Sequence, residues 1–440
     1  MNDPFQSQLS QGKAAAAQNH WPAAEACFRA ALQIHPGDVR ATRALGQALI
    51  SQKNFAEAEG VWRKAVALEP AHAESLQMLG QVLLRRRDLE GAGALFKQAL
   101  SINPALGECA FNLGRIAYVG EDRTLAAEYF AKAVEAEPGH VKALAALVQT
   151  LTENQREDEA AAAGVRGLAA VEGRADIKPA ALNEVRDHIA HAYRRLGDIT
   201  LAAVHYRAII AADPADNATR HLLAAAQGQA TQEYANDFAK RFFDNLAGSF
   251  DQHLVGRLNY VAPAQIVADL QALRGDPAAF ADVLDVGSGT GLAGVALAQS
   301  YRVPQLVGID LSEKMLVESA KRGLYSELVA GDAVAVMAAR HDLFDLIIAA
   351  DVLIYVGALE PMFAQALRLL RSGGMFAFSV EISTSADVEL TLNGHYSHSR
   401  GHIARLAQTL GFKIARAVDA PLRKEANHAI DAHYVYLVKP

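Results

Sequence analysis

The chain has 440 residues, 51% of them apolar, and a net charge of −7, which allows two or three domains with sizeable cores but lacks the basic excess that a general nucleic-acid binder needs to neutralise phosphates. No apolar run is long enough to span a bilayer, and the polar start Met1-Asn2-Asp3-Pro4-Phe5 lacks a secretory signal's apolar stretch, so a cytoplasmic location is expected. Cys27 and Cys109 are the only cysteines and fit no metal-ligand spacing; both are expected to be reduced and buried in helices.

The first part of the chain repeats every 34 residues. Pro36, Pro70, Pro104 and Pro138 mark the period, and Gly12, Gly46, Gly80 and Gly114 recur in step. So do Ala24, Ala58, Ala92 and Ala126, the aromatics Phe28, Trp62, Phe96 and Phe130, and Ala31, Ala65, Ala99 and Ala133. Small residues let two antiparallel helices approach, the aromatic is expected to fill the gap to the next repeat, and proline stops the second helix. Over residues 5–140 this pattern resembles the tetratricopeptide repeat. Beyond Pro138 it weakens. Gly164 and Gly167 stand where the aromatic and the small residue belong, and Arg174-Ala175-Asp176-Ile177-Lys178-Pro179 reads as an insertion. A further unit returns with Tyr193, Leu196-Gly197-Asp198, Ala202, Tyr206 and Pro214, and Asn217–Gln229 is expected to cap the array. The resemblance implies a peptide groove presenting Arg40, Arg43, Gln77, Gln81, Arg85, Phe111, Arg115 and Tyr118. Arginines beside aromatics suit an anionic or C-terminal peptide, although the Lys/Asn carboxylate clamp of that family is not reproduced. Arg85-Arg86-Arg87 also suits a helix C-terminus, where cations meet the dipole's negative end.

From Thr231 to Asn259 the chain is aromatic and charged rather than Gly/Ser-rich, with Tyr234, Phe238, Phe242, Phe243, Phe250, Asp251 and His253, and Tyr260 just beyond. Phe238 and Phe242 are spaced to share a helix face, so helices packed on the next domain, and not a loose tether, are expected. Phe250, Asp251, His253 and Tyr260 are candidates for a lid. Ala264–Arg274 reads as a helix broken by Gly275-Asp276-Pro277.

Strands are then expected at Ala281–Val286, Gln305–Asp310, Leu324–Ala330, Phe344–Ala350 and Gly374–Val380, with helices at Leu292–Ser300, Ser312–Arg322, Val334–Arg340 and Gly357–Arg371. The first strand runs into Gly287-Ser288-Gly289-Thr290-Gly291; the second ends on Asp310 and the third is followed by Asp332. Ser312 reads as a helix N-cap, and Ser372-Gly373-Gly374 as a left-handed helix stop. Alternation of strand and helix implies a parallel sheet, which binds ligands at its carboxyl edge. Two last strands, Gly411–Val418 and Ala432–Val438, follow without a helix between them and suit an antiparallel hairpin.

The motifs Asp-Val-Gly-Ser-Gly-Thr-Gly, Gly308-Ile309-Asp310-Leu311-Ser312 with Met315, Ala330-Gly331-Asp332-Ala333, Phe344–Asp351 and Leu370-Arg371-Ser372-Gly373-Gly374 resemble those of class I S-adenosylmethionine-dependent methyltransferases, over about residues 232–440. The pairing with repeats resembles bacterial tetratricopeptide-repeat methyltransferases. The expected architecture is an α-helical solenoid over residues 1–230, a helical linker or lid over 231–275, and a Rossmann-like α/β domain over 276–440, whose seven-stranded sheet ends in an antiparallel hairpin.

By that resemblance Gly287, Ser288, Gly289, Thr290 and Gly291 surround the methionine moiety of S-adenosylmethionine. Asp285 orients its amino group through water, Asp310 holds the ribose, Asp332 and Ala333 meet the adenine, and Leu311 and Met315 cover its face. Asp351 sits beside the sulfonium. Methyl transfer is an in-line displacement that needs a base only when the acceptor arrives protonated. Candidates are Tyr355, His395, Tyr396 and His398, with Asn393 and Arg400 in the same expected loop. Ala350-Asp351-Val352-Leu353 is not the motif of enzymes that methylate exocyclic base nitrogens, and this region has no cysteine for cytosine C5 chemistry. The leading expectation is a methyltransferase whose repeats recruit a protein or peptide. A sensor that binds the cofactor without transfer, and a small-molecule methyltransferase that uses its repeats for assembly, are the alternatives. A nicotinamide dehydrogenase fits less well, because Leu292 stands where its fingerprint wants glycine.

Overall fold

A computed structural model describes residues 3–229, 234–248, 250–251, 260–274, 280–425 and 428–440. The chain divides into two compact units, Met1–Ala208 and Ile209–Pro440.

The first unit is a run of helices: α1 (Pro4–Ala17), α2 (Trp21–Ile34), α3 (Val39–Ser51), α4 (Phe55–Leu68), α5 (Ala73–Arg85), α6 (Leu89–Ile102), α7 (Gly107–Val119), α8 (Arg123–Ala136), α9 (Val141–Glu153), α10 (Glu157–Val171) and α11 (Pro179–Leu196), with α12 (Ile199–Ala212) running across the boundary. The repeat glycines and aromatics meet inside one repeat. A Cβ on Gly12 would lie 2.5 Å from the Phe28 ring, on Gly46 2.6 Å from Trp62, on Gly80 2.6 Å from Phe96 and on Gly114 2.5 Å from Phe130. The aromatic therefore covers the glycine of its own helix pair, because only a bare Cα admits the ring at that distance, while Phe28 and Phe130 also share apolar clusters with the following pair, Leu45 and Leu144 among them.

The turn inside each pair also repeats. Asn19, Lys53, Arg87, Glu121 and Gln155 all have φ near +60°, 34 residues apart. Backbone phase thus persists through the fifth pair, past the point where the side-chain pattern fades. Asn54, Asp88 and Asp122, one residue after such turns, accept from backbone N–H groups of the following helix and hold its start. In the fifth pair Gly164 and Gly167 replace the usual residues because Ile189 and Leu144 press on them; a Cβ would meet either at 2.4 Å. Cys109 is buried, whereas Cys27 is only half-buried, against expectation.

The second unit begins with α13 (Asn217–Ala226), α14 (Ala235–Leu246) and α15 (Ala262–Arg274). The α/β part follows: β1 (Asp282–Val286), α16 (Leu292–Ser300), β2 (Gln305–Asp310), α17 (Glu313–Ala320), β3 (Glu327–Ala330), α18 (Ala333–Ala339), β4 (Phe344–Ala349), α19 (Glu360–Leu369), β5 (Leu370–Ile382), β6 (Val388–Leu390), β7 (Tyr396–His398), α20 (Arg400–Leu410), β8 (Lys413–Glu425) and β9 (His428–Val438). Strands β3-β2-β1-β4-β5 are parallel, β9 joins β5 antiparallel, and β8 pairs with β9. These are the seven expected strands. The short β6 and β7 extend the sheet at the carboxyl end of β5, making nine among the described residues.

Apolar clusters cover both faces of the sheet, one around Leu284, Ile347, Phe363 and Phe376, the other around Val283, Ile348, Leu297 and Tyr434. This is why the parallel strands are nearly continuous apolar runs.

Three local expectations need correction. Helix α19 ends at Leu369 with an extended cap at Leu370, and Ser372-Gly373-Gly374 forms a bulge within β5, where Gly373 N–H donates to Lys439 O at 2.8 Å. The final hairpin is far longer than the sequence suggested, with its register shifted at Pro421/Arg423. The stretch expected as a loop above the cofactor instead holds β7 and α20, because Tyr396–His398 pairs with both β6 and the end of β5.

Candidate active site

At the carboxyl edge of the sheet lies a cavity of about 390 Å³, within the ~300–1,000 Å³ range of small-molecule sites. Its floor is the turn after β1. Gly287, Gly289 and Gly291 have φ of +67°, +52° and +88°, which L side chains rarely adopt. A Cβ on Gly287 would also strike Val352 at 2.3 Å.

Asp310 ties that turn to β2. One carboxylate oxygen accepts Gly289 N–H at 2.8 Å and the other accepts Ser312 N–H at 2.8 Å. Burial pushes its pKa up and the two N–H groups act against that shift. Ser312 caps α17 by accepting Met315 N–H. Asp332 caps α18, accepting Ala335 N–H at 2.8 Å. These caps follow from strands that stop on a polar residue and hand directly to a helix.

Helix α14 roofs this end. Asn236 donates to Asp332 at 3.0 Å, Ser312 Oγ donates to Asp244 at 2.6 Å, and Lys240 Nζ lies 3.4 Å from Leu311 O. Phe243, Leu246 and Phe250 add an apolar lining. Asp251 takes bonds from Thr290 and Arg322, and Arg322 Nε also donates to Thr290 O at 2.5 Å. Phe238 and Phe242 diverge in environment: Phe238 is buried and stacks on His221 with centroids 4.8 Å apart, while Phe242 is 43% exposed. His253 and Gly275-Asp276-Pro277 lie outside the described residues.

The opposite end is charged and aromatic. Asp351 has φ of +59°, a strained value for a residue with a side chain, and its N–H donates to Ser379 Oγ at 2.9 Å. Arg423 Nη1 bonds both Asp351 oxygens at 3.0 Å, and its Nη2 reaches Glu381 Oε1 at 2.5 Å. His395 Nδ1 lies 3.3 Å from the same Glu381 oxygen. Burial alone would raise the Glu381 pKa, but His395 and Arg423 bring it down to about 2. Tyr355 packs edge-on against Phe243 and His395, each with centroids 5.2 Å apart. Tyr260 OH donates to Ala350 O at 3.3 Å.

Of the residues singled out in the sequence, Gly287, Ser288, Gly289, Thr290, Asp310, Leu311, Asp332, Ala333, Asp351, Tyr355 and His395 line this cavity. Asp285 is buried outside the lining, accepting from Tyr325 OH at 2.6 Å; burial pushes its pKa up to about 7, with the Tyr325 bond opposing and nearby Asp310 adding. Gly291 caps α16. Met315 is fully buried in a cluster with Ala247 and Phe250. Tyr396 packs edge-on to His221, and the fully buried His398 contacts Val356 O at 2.9 Å, its pKa pushed down to about 4 by burial. Arg400 pairs with Asp419.

Sequence reasoning overlooked Arg423, Glu381, Asn236 and Asp244. Glu381 carried a usable signal, since it follows the mostly apolar Phe376-Ala377-Phe378-Ser379-Val380 at a strand's carboxyl end, like Asp310 and Asp351. Arg423 carried none, because its position depends on the hairpin register.

In the first unit, several residues expected along the groove already bond across repeats. Arg43 pairs with Glu69 and its Nη1 lies 2.5 Å from His72 Nε2. Tyr118 OH donates to Glu153 at 2.8 Å with Arg123 over its ring. Arg115 lies 5.8 Å from the Phe111 ring centroid. Gln77 and Gln81 are half-buried and Arg85 is exposed. No described helix is long and apolar enough to cross a membrane.

Residues 283–374 match the model of a methyltransferase domain. Models of the tetratricopeptide repeat match residues 9–67, 54–106, 111–175 and 184–216. A malonyl-[acyl-carrier protein] O-methyltransferase of Geobacter sulfurreducens is 32% identical over 103 residues, which are 23% of this chain and 38% of that protein. Among solved structures, magnesium protoporphyrin IX methyltransferase of Synechocystis PCC 6803 with bound SAM is 20% identical, with a TM-score of 0.36 over 47% of this chain and 97% of that one. YrrB, a TPR protein with an unusual peptide-binding site, is 19% identical, with a TM-score of 0.37 over 44% of this chain and 96% of that one.

Proposed function

We propose that this chain, a methyltransferase domain of the S-adenosylmethionine-dependent class behind an array of tetratricopeptide repeats, transfers a methyl group to an acceptor carried by a protein or peptide that the repeats recruit. The observation that supports it most is the pairing of Asp310 with the Gly289 turn at one end of a cavity whose other end holds Asp351, Tyr355 and His395.

The residues present fit the cofactor. Asp310 is fixed by two backbone N–H groups and lines the cavity, which suits hydrogen bonds from vicinal ribose hydroxyls. The left-handed Gly287, Gly289 and Gly291 present no Cβ at those three positions of the turn. Leu311, Ala333 and Val334 offer an apolar face for a flat base, with Asp332 at its edge. When bound, S-adenosylmethionine supplies a methyl group already activated on a sulfonium. The chain's own task is then to align the acceptor and exclude water. Helix α14 and Phe250 serve as the roof, and Asp351 and Tyr355 face the acceptor. The chain spans 38% of the curated relative's length, so O-methylation is carried over from it only as a proposal. Two free cysteines suit a reducing, cytoplasmic setting.

The test has two arms. Titration calorimetry of the full chain with S-adenosylmethionine should show binding that Asp310→Ala abolishes; no binding to the wild-type chain overturns the proposal. Labelled methyl transfer into extract should then mark a macromolecule, and the double variant Phe111→Ala/Arg115→Ala should lose that label while retaining cofactor affinity. Equal labelling of a small metabolite by both forms would transfer support to the small-molecule reading.

A further inference from the structure

The acceptor end of the cavity has a charge arrangement that narrows the acceptor. Asp351, Glu381 and Arg423 are nearly buried, with side-chain exposures of 13%, 14% and 5%. Two carboxylates share one guanidinium, Asp351 through Nη1 and Glu381 through Nη2 of Arg423. Among the described residues the Tyr355 ring and His221 of α13 also lie near His395, and burial lowers the His221 pKa.

The geometry also fixes the imidazole. Glu381 is held ionised by Arg423, and a carboxylate facing Nδ1 accepts a hydrogen bond, which places the imidazole proton on Nδ1. That leaves the proton-accepting lone pair on Nε2, the arrangement in which a carboxylate orients a histidine base. A carboxylate acceptor is disfavoured twice: it meets two carboxylates that already share a guanidinium, and it needs no base. An ammonium would find attraction here but brings no lone pair. The walls are Phe243, Tyr355 and Tyr260, suited to a flat apolar body.

We propose that His395, oriented by Glu381, is the base for a neutral hydroxyl acceptor borne on an aromatic or apolar body. This rests on the methyltransferase reading above. In the step, the acceptor O–H bond breaks and its proton passes to His395 Nε2. The oxygen forms a bond to the methyl carbon, and the carbon–sulfur bond breaks with its electron pair left on sulfur. Glu381 is a positioning residue, and its carboxylate beside Nδ1 stabilises the imidazolium.

The first experiment needs no acceptor. Long-range proton–nitrogen NMR is recorded on the full chain labelled with 15N-histidine, with His395→Gln identifying the resonance. The expected result is the Nδ1–H tautomer of His395 at pH 8, lost in Glu381→Gln. An Nε2–H tautomer in the wild-type chain overturns the proposal whether or not the variants fold. The second experiment treats the product labelled from S-adenosylmethionine with alkali. An alkali-stable methyl ether supports the proposal, with His395→Gln lowering its rate by about 10²–10⁴-fold at unchanged cofactor affinity. Alkali-released methanol, marking an ester, or an N-methyl product overturns it. Absence of any labelled product overturns the methyltransferase reading itself, an outcome distinguishable because the tautomer result stands apart from it.

Discussion

Gly289 donates its backbone N–H to Asp310 at 2.8 Å, so the turn after β1 and the end of β2 act as one rigid frame. Its consequence is directly measurable. Asp310→Asn exchanges one acceptor oxygen for a donor and removes the charge. Cofactor affinity in titration calorimetry should fall by about 1.5–3 kcal/mol, the range for hydrogen bonds to charged groups, with unchanged far-ultraviolet circular dichroism.

Breaking the Arg423 pairings should be costly to the fold. Arg423→Ala leaves Asp351 and Glu381 facing each other without their shared cation. Removing one partner from a buried ion pair costs about 3–5 kcal/mol. Urea unfolding of the full chain, followed at the transition that near-ultraviolet signals assign to the tyrosine-rich second unit, should show that loss; an unchanged midpoint would contradict the buried network.

Asp285 makes a prediction about pH. Its folded pKa lies near 7, above its ordinary value of 3.8. Between those values the folded chain holds a proton that the unfolded chain has released, so stability falls as pH rises through this window. The contribution is fully present below about pH 4 and gone above about pH 7. Asp285→Asn removes this group's share of the slope, and thermal melts from pH 5 to pH 8 should show a flatter dependence than in the wild-type chain.

The repeat unit has its own test. Gly114→Ala places a methyl group where Phe130 lies 2.5 Å away. Overpacking of this kind costs about 1–3 kcal/mol, which helical circular dichroism on heating would detect. Gly37, with nothing within 4 Å of an added Cβ, is the control, and Gly37→Ala should melt close to the wild-type chain.

Much of the site was legible in the sequence because its signals are local. A strand ending in Gly-x-Gly-x-Gly, or on an aspartate before a helix N-cap, uses neighbouring residues to shape its own backbone, and Gly289, Asp310 and Asp332 all line the cavity as that logic implies. The histidines show where it stops. His395 and His398 are three residues apart, yet His395, just before β7, lines the cavity, whereas His398, at the end of β7, is fully buried outside that lining.

The sequence by itself determined the 34-residue helix pairs, the parallel strand order's raw material and the glycine cradle, because periodicity and turn chemistry act over a few neighbouring residues. Only the tertiary structure decided that Arg423 joins Asp351 and Glu381, 72 and 42 residues away. That meeting depends on the hairpin register shift at Pro421/Arg423 and on burial that leaves the guanidinium no better partner than two carboxylates, neither of which a local pattern encodes.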